Sequence, residues 1–326
     1  MNKQIREIIL NNKVLCAPLC GFTDFAFREI LASYNPAIVF TEMLSAQGLF
    51  YNYEKTIRLY KDTLSDVLLG VQLFGNDINS FKNAVHAINR LKFAVLDINA
   101  GCSVKKVLKT GSGCALMDDP TLIYNIIKNV KSITDKPVTM KMRKGYNNEN
   151  FLECALAAQE AGVEWITLHA RTSRQKFSGE VDFNAIKELK LKLDIPVVGN
   201  GEIWRPEDVK IMMDETNCDA IMLARGLLGK PWLIKQCHDY IKTGKYTIPE
   251  KSEIKSILLK HLDYMVKDKG EKLGIKEFRK HIVKYSKGII GSRDFRKYAV
   301  HIEQEKVLYE EINNLFDNEE VLLETG

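Results

Sequence analysis

Long hydrophobic runs are missing from these 326 residues. No apolar stretch approaches the ~18 residues of a membrane-spanning helix, so no membrane segment is expected. The opening residues, Met1 to Lys13, are polar and charged, and no secretory leader is expected there. Paired cysteines are missing as well. The seven cysteines, Cys16, Cys20, Cys102, Cys114, Cys154, Cys218 and Cys237, are odd in number, scattered and without a CxxC. They build no disulfide framework, which points to a reduced, cytoplasmic setting. Cys16 and Cys20 have no second pair to complete a metal site, so no metal is expected. There is no GxGxxG turn after the first strand-like run, no short repeat and no low-complexity tract.

Strong net charge is also absent, but the mild +5 hides an uneven distribution. Between Lys251 and Val300 stand 14 Lys and Arg against 6 Asp and Glu; from His301 onward one lysine faces eight acids. The basic block is a candidate anion-binding surface.

What is present is an alternation. Apolar, β-branched runs occur at Val14–Ala17, Ala37–Thr41, Val67–Leu73, Ala94–Ile98, Pro137–Met142, Trp165–Leu168, Ile195–Val198 and Asp219–Leu223. Amphipathic stretches such as Ile78–Leu91, Thr121–Ser132, Asn150–Ala161, Asn184–Leu193 and Arg205–Met213 separate them. Continuously apolar strands alternating with helices predict a parallel sheet covered on both faces. Eight such units predict an α/β fold, a (β/α)8 TIM barrel. A doubly wound sheet is the alternative, weakened by the missing glycine fingerprint. After Pro231-Trp232 the pattern turns helical. The chain thus divides into a barrel over residues 1–245 and a smaller all-helical domain over 246–326.

Polar residues gather at the C-terminal ends of the runs, the face where barrel enzymes place their sites. They are Pro18-Leu19-Cys20-Gly21, Glu42, Gln72, Asn99 and Cys102, Lys141 and Arg143, His169 and Arg171, Gly199-Asn200-Gly201-Glu202, and Ala224-Arg225-Gly226. Cys102 follows the fourth run on a loop that Gly101 allows to turn. A thiol there can donate a proton or attack an electrophile; the alternative is a small buried hydrophobe. The two last loops are Gly-rich, and one carries Arg225, which suits a phosphate cradle. Amides opposite a phosphate suit a flat heterocycle: Gln72 can donate to and accept from a ring edge, and Lys141 can hold anionic charge. Flavin mononucleotide (FMN) fits better than a sugar phosphate.

In Ile275–Ile290 the apolar Ile275, Phe278, Ile282, Tyr285 and Ile289 fall at helical steps, with Lys276, Arg279, Lys280, Lys284 and Lys287 on another face. A further stretch, Ser292–Ile312, adds Arg293, Arg296 and Lys297. This face is either solvated surface or the seat of a polyanion.

The chain resembles the tRNA-dihydrouridine synthases, most closely the bacterial B-type. The resemblance is carried by Ala17-Pro18-Leu19-Cys20-Gly21-Phe22-Thr23-Asp24 with Phe27-Arg28, Thr41-Glu42-Met43, Val71-Gln72-Leu73, Asp97-Ile98-Asn99-Ala100-Gly101-Cys102 with Lys105-Lys106-Val107, Gly111-Ser112-Gly113, Val138-Thr139-Met140-Lys141-Met142-Arg143, Leu168-His169-Ala170-Arg171-Thr172, Gly199-Asn200-Gly201-Glu202-Ile203, Ala224-Arg225-Gly226, and Arg279-Lys280-His281 with Tyr285 and Lys287. It spans nearly the whole chain. Three positions depart from the family pattern: Ser103 where Pro is common, Cys20 where a small residue is common, and Glu202 where Asp is common.

The resemblance implies an FMN barrel with a helical tRNA-gripping domain and NADPH as reductant. FMN would contact Pro18, Leu19, Cys20, Gln72, Lys141, His169, Asn200, Gly201, Glu202, Ala224 and Arg225. Asn99, Arg143, Arg171, Arg279, Lys280 and Lys287 would serve the tRNA. The implied reaction reduces the C5=C6 bond of a uridine, with hydride from FMN N5 to C6 and a proton from Cys102 to C5. A monomer is expected. Two other classes stay open: an FMN barrel acting on a small molecule, and a non-catalytic RNA-binding protein on a degenerate barrel.

Overall fold

The structure, a computed structural model, describes residues 2–289 and 292–317. Ile290 and the acidic Glu319, Glu320 and Glu324 lie outside the described residues. Among the described residues nine strands form one parallel sheet: β1 (Val14–Cys16), β2 (Ile38–Phe40), β3 (Leu44–Ser45), β4 (Leu69–Phe74), β5 (Val95–Ala100), β6 (Val138–Arg143), β7 (Ile166–His169), β8 (Val197–Asn200) and β9 (Ala220–Leu223). Pairing of β1 with β9 and of β2 with β4 closes eight of them into a barrel. The two-residue β3, which no apolar run announces, adds to the C-terminal end of β4.

Helices cover the barrel and begin where the sequence offers capping groups. Asp24, Asp77, Asp119 and Asp182 each accept a hydrogen bond from a first-turn amide of the helix that follows. Outward side chains such as Val39, Val71, Leu96, Ile98, Met140 and Leu168 join these helices in the largest core. Inward residues Leu15, Phe40, Val95, Val198 and Met222 fill the N-terminal half of the barrel, and Ile5 and Ile9 from the helix Asn2–Asn12 join them.

Five strands run past their apolar runs, β4 by the apolar Phe74 and four others into polar residues. β5 reaches Ala100, β6 Arg143, β7 His169 and β8 Asn200. The interior turns polar there, so the backbone ladder continues while the inward side chains become Asp97, Asn99, Thr139, Lys141, His169 and Asn200.

Helices Lys251–Lys269, Glu271–Tyr285, Ser292–Ala299 and Glu305–Asp317 build a second core from Leu258, Leu262, Phe278, Ile282, Leu308 and Ile312. Ala26 and Trp232 join this core, and Lys251–Lys269 packs on the barrel helix Phe25–Ala32. The expected single stretch Ser292–Ile312 is two helices. Ile302 breaks it: its side chain is buried, and its carbonyl accepts from Arg279 Nη2 at 3.0 Å.

Candidate active site

The C-terminal mouth of the barrel opens into a cavity of about 500 Å³. Every expected cofactor residue from Pro18 to Arg225 lines it, together with Asn99, Cys102 and Arg143. Arg171, Arg279, Lys280 and Lys287 are not among its walls, whereas Lys284 is.

A chain of buried hydrogen bonds fixes the floor. Thr139 Oγ1 and Gln72 Nε2 each donate to Asp97 at 2.6 Å, and Asn99 Nδ2 donates to Gln72 Oε1 at 2.7 Å. Cross-strand register makes this possible, since Gln72, Asp97 and Thr139 are neighbours on β4, β5 and β6. Gln72 keeps one N–H and one lone pair for the cavity. Burial pushes the Asp97 carboxyl up to about 6, against the Gln72 and Thr139 hydrogen bonds and the Lys141 charge. Asp97 is a supporting residue that the sequence motif includes without a role, although an acid inside an apolar run is itself a signal.

Asn99 also shapes the thiol loop. Its Oδ1 accepts the amides of Gly101 at 3.1 Å and Cys102 at 2.9 Å. Arg143 Nε donates to the Gly101 carbonyl at 2.9 Å, and Cys114 N donates to the Cys102 carbonyl at 3.0 Å. Cys102 is therefore held from three sides even with Ser103 in place of the usual proline. Burial raises the thiol above its ordinary pKa, outweighing the Val104 amide and the Arg143 guanidinium, so it stays protonated at neutral pH.

Lys141 Nζ donates to Asn200 Oδ1 at 2.9 Å, and Asn200 Nδ2 donates to the Met222 carbonyl at 2.7 Å. Burial and the neighbouring Arg143 lower the Lys141 ammonium to about 8. Burial and four cations, Lys141 foremost, push His169 down to about 2, which leaves a neutral imidazole. The pocket thus holds a cation that gains from an anion, and a neutral ring that can donate one hydrogen bond.

The loops after β8 and β9 touch. A Cβ on Gly226 would stand 2.4 Å from the Ile203 carbonyl oxygen. Among the described residues the N–H groups of Gly201, Glu202 and Ile203, in the loop that follows β8, have no acceptor, and Arg225 and Gly226 open a short helix beside them. Gly201 and Glu202 take φ of +126° and +51°. Successive unpaired amides beside Arg225 form a cradle suited to a phosphate, and the residues present fit the phosphate end of FMN. The Glu202 carboxylate is already held, by Arg171 Nη2 at 2.5 Å and Trp204 Nε1 at 2.9 Å, with Arg225 at 3.5 Å. Burial works to raise Glu202, but those hydrogen bonds and charges hold it below its ordinary value. Arg225 lies 4.2 Å from the Phe177 ring centre and 5.0 Å from that of Trp204. Sequence reading named neither aromatic, although Trp204 follows the Gly-rich turn directly.

The arginines assigned to the tRNA side are largely engaged within the chain. Arg143 Nη1 donates to the carbonyls of Thr172 and Lys176, and the buried Arg171 donates to Gly179 as well as Glu202. Arg279 is bound to the Ile302 carbonyl and lies 3.9 Å from Glu303. Lys287 is exposed, and Lys280 Nζ stands 5.5 Å from the Phe22 ring at the cavity wall.

The family model described as "Dihydrouridine synthase (Dus)" matches residues 15–320. A Vibrio vulnificus protein named "tRNA-dihydrouridine synthase B" is 33% identical over 95% of this chain and 97% of its own length. A Pseudomonas syringae pv. tomato protein of the same name is 30% identical over 96% and 94%. A Treponema pallidum protein named "Probable tRNA-dihydrouridine synthase" is 31% identical over 91% of each. Among solved structures, the 6-hydroxypseudooxynicotine amine oxidase of Pseudomonas geniculata gives a TM-score of 0.51 at 13% identity, covering 72% of this chain and 47% of that one, a likeness of fold alone.

Proposed function

The chain belongs to the dihydrouridine synthase family, and from that premise we propose that it reduces the C5=C6 bond of uridines in tRNA to 5,6-dihydrouridine, with FMN as bound cofactor and NADPH as reductant. The observation that carries the reading is one cavity holding a protonated thiol, a lowered ammonium and a cradle of free amides on three sides.

FMN, when bound, supplies the hydride that uracil C6 accepts. Gly201, Glu202, Ile203, Arg225 and Gly226 would take its phosphate through backbone amides and one guanidinium. Lys141 would balance negative charge on the ring, an electrostatic role that needs no rearrangement because Asn200 already aims the ammonium.

Cys102 holds the proton destined for C5. Its raised pKa keeps that proton on sulfur until C6 is reduced and C5 becomes basic. Asn99 positions the thiol by accepting both loop amides, while its Nδ2 donates to Gln72 Oε1 and, at 3.7 Å, to Met43 Sδ, the weaker contact being the one a substrate oxygen would replace. Arg143 keeps the thiol loop against the loop after β7. A uridine in folded RNA cannot reach this depth, so it must be unstacked and turned into the cavity at a cost of a few kcal/mol. Cationic side chains of the helical domain would hold the RNA phosphates meanwhile.

Purified protein, FMN, NADPH and unmodified tRNA should yield dihydrouridine detected by mass spectrometry, mapped to positions missing in a strain without the protein. Protein that binds FMN and oxidises NADPH with small enones, but leaves tRNA unchanged, would transfer the assignment to a small-molecule reductase.

A further inference from the structure

The basic block read from the sequence is not one surface. Ion pairs and carbonyls engage part of it. Lys269 is bound by Asp24 and Glu277, Arg279 by Ile302 and Glu303, and Arg296 by the Ser286 carbonyl. Lys280 and Lys284 are different. They lie one turn apart on the helix Glu271–Tyr285, and neither has a carboxylate within ion-pair distance among the described residues. Both are at the cavity: Lys284 lines it, and Lys280 stands over Phe22, which lines it. Like charges at this spacing are mutually unfavourable by a few tenths of a kcal/mol in a helix, and an anion bridging them reverses the sign.

Their position relative to the site is fixed by backbone contact. Gly229, at φ +80°, ends the loop that carries Arg225, and a Cβ there would be 2.4 Å from the Lys284 carbonyl carbon and oxygen. The helix and the cradle loop therefore touch main chain to main chain. The lysine pair stands at a set distance from the reacting end of the cavity.

We infer that Lys280 and Lys284 clamp the phosphate backbone of the very nucleotide whose base enters the cavity, and so position that base rather than merely adding affinity for tRNA. The inference rests on the proposed reaction with tRNA. As positioning residues they act in two measurable ways. Removing one lysine–phosphate pair should lower the slope of log affinity against log salt by roughly 0.9. Releasing the clamp on the target nucleotide should also slow the chemical step when tRNA is saturating.

The test compares wild type with Lys280→Ala/Lys284→Ala, Lys280→Arg/Lys284→Arg and Lys287→Ala, all as full-length FMN-loaded protein. Filter binding of unmodified tRNA over a salt series gives the slope; quenched-flow mass spectrometry at saturating tRNA gives dihydrouridine formation. The double alanine variant should show a slope smaller by roughly 0.9, the value for the one phosphate the pair bridges, and react more slowly at saturation, with arginine restoring both. Lys287→Ala, exposed and away from the cavity, should affect affinity only. A double alanine variant with the wild-type rate at saturation overturns the clamp, whether or not its slope changes. Wild type that makes no dihydrouridine would instead remove the proposed function, a result the slopes cannot mimic.

Discussion

Replacing Lys141 with Met should make FMN affinity weaker and, more tellingly, remove its pH dependence above neutrality. The ammonium is enclosed beside Arg143 and lowered to about 8, so in the free protein it is mostly protonated at pH 7 and mostly neutral at pH 9. An anionic ligand favours the protonated form. Affinity is therefore fully supported below pH 8 and falls as pH rises through it. If the complex keeps the proton, the loss between pH 7 and pH 9 is about tenfold, or about 1.4 kcal/mol. Met fills nearly the same space without the charge, but it leaves Asn200 Oδ1 without its donor, a penalty of about 1–3 kcal/mol at any pH. Titrating apoprotein with FMN by fluorescence quenching at both pH values separates the two effects, because only the first changes with pH. Wild-type affinity that is flat from pH 7 to 9, or a Lys141→Met protein that keeps the wild-type slope, would refute the assignment of this ammonium to the ligand's anionic edge.

Cys102→Ala should retain FMN and NADPH oxidation while forming dihydrouridine about 10²–10⁴-fold more slowly, and Cys102→Ser should not restore the rate, as rapid-quench analysis of tRNA would show. Asp97→Ala should destabilise the protein by about 3 kcal/mol in urea unfolding, since it strands the Gln72 and Thr139 donors in the barrel. The histidine pair His261 and His281 predicts an acid limit. Burial lowers His261 to about 3 and His281 well below its ordinary value, with Lys269 and Lys280 adding to the effect and Asp24 opposing it at His261. The folded state excludes protons that the unfolded chain binds, so stability falls as pH drops from about 6.5 toward 3, by about 1.4 kcal/mol per histidine at pH 5.5. Thermal melts at pH 7.5 and 5.5 should differ less for His281→Phe than for wild type, because the titrating ring is gone, and among the described residues neither His281 nitrogen has a hydrogen-bond partner to lose; an unchanged difference would remove His281 from the account.

Much of the barrel was legible because strand and helix periods are local. Eight apolar runs mapped onto eight barrel strands, and polar residues at the ends of seven of them line one cavity, Glu42 after the second being the exception. What local pattern could not show was where each strand ends. The runs stop where apolar side chains stop, whereas backbone pairing continues wherever a neighbouring strand offers partners, so Asn99, His169 and Asn200, all beyond their runs, proved to be strand residues facing inward.

Composition alone determined that a basic block exists near residues 251–300, since charge is a property of the chain. Only the tertiary structure decided which of its cations are free. Arg279 looked equivalent to Lys280 along the helix, yet the fold brings the Ile302 carbonyl and Glu303 to Arg279, and places Lys280 over the ring of Phe22 at the cavity wall. The cysteines follow the same rule. Their number and spacing pointed away from a disulfide framework, but only the fold shows what meets the Cys102 loop: the Asn99 side-chain carbonyl and the Arg143 guanidinium. Asn99 is a local partner, but Arg143 stands 42 residues from the Gly101 carbonyl it binds, and that proximity is a consequence of strand pairing rather than of any local propensity.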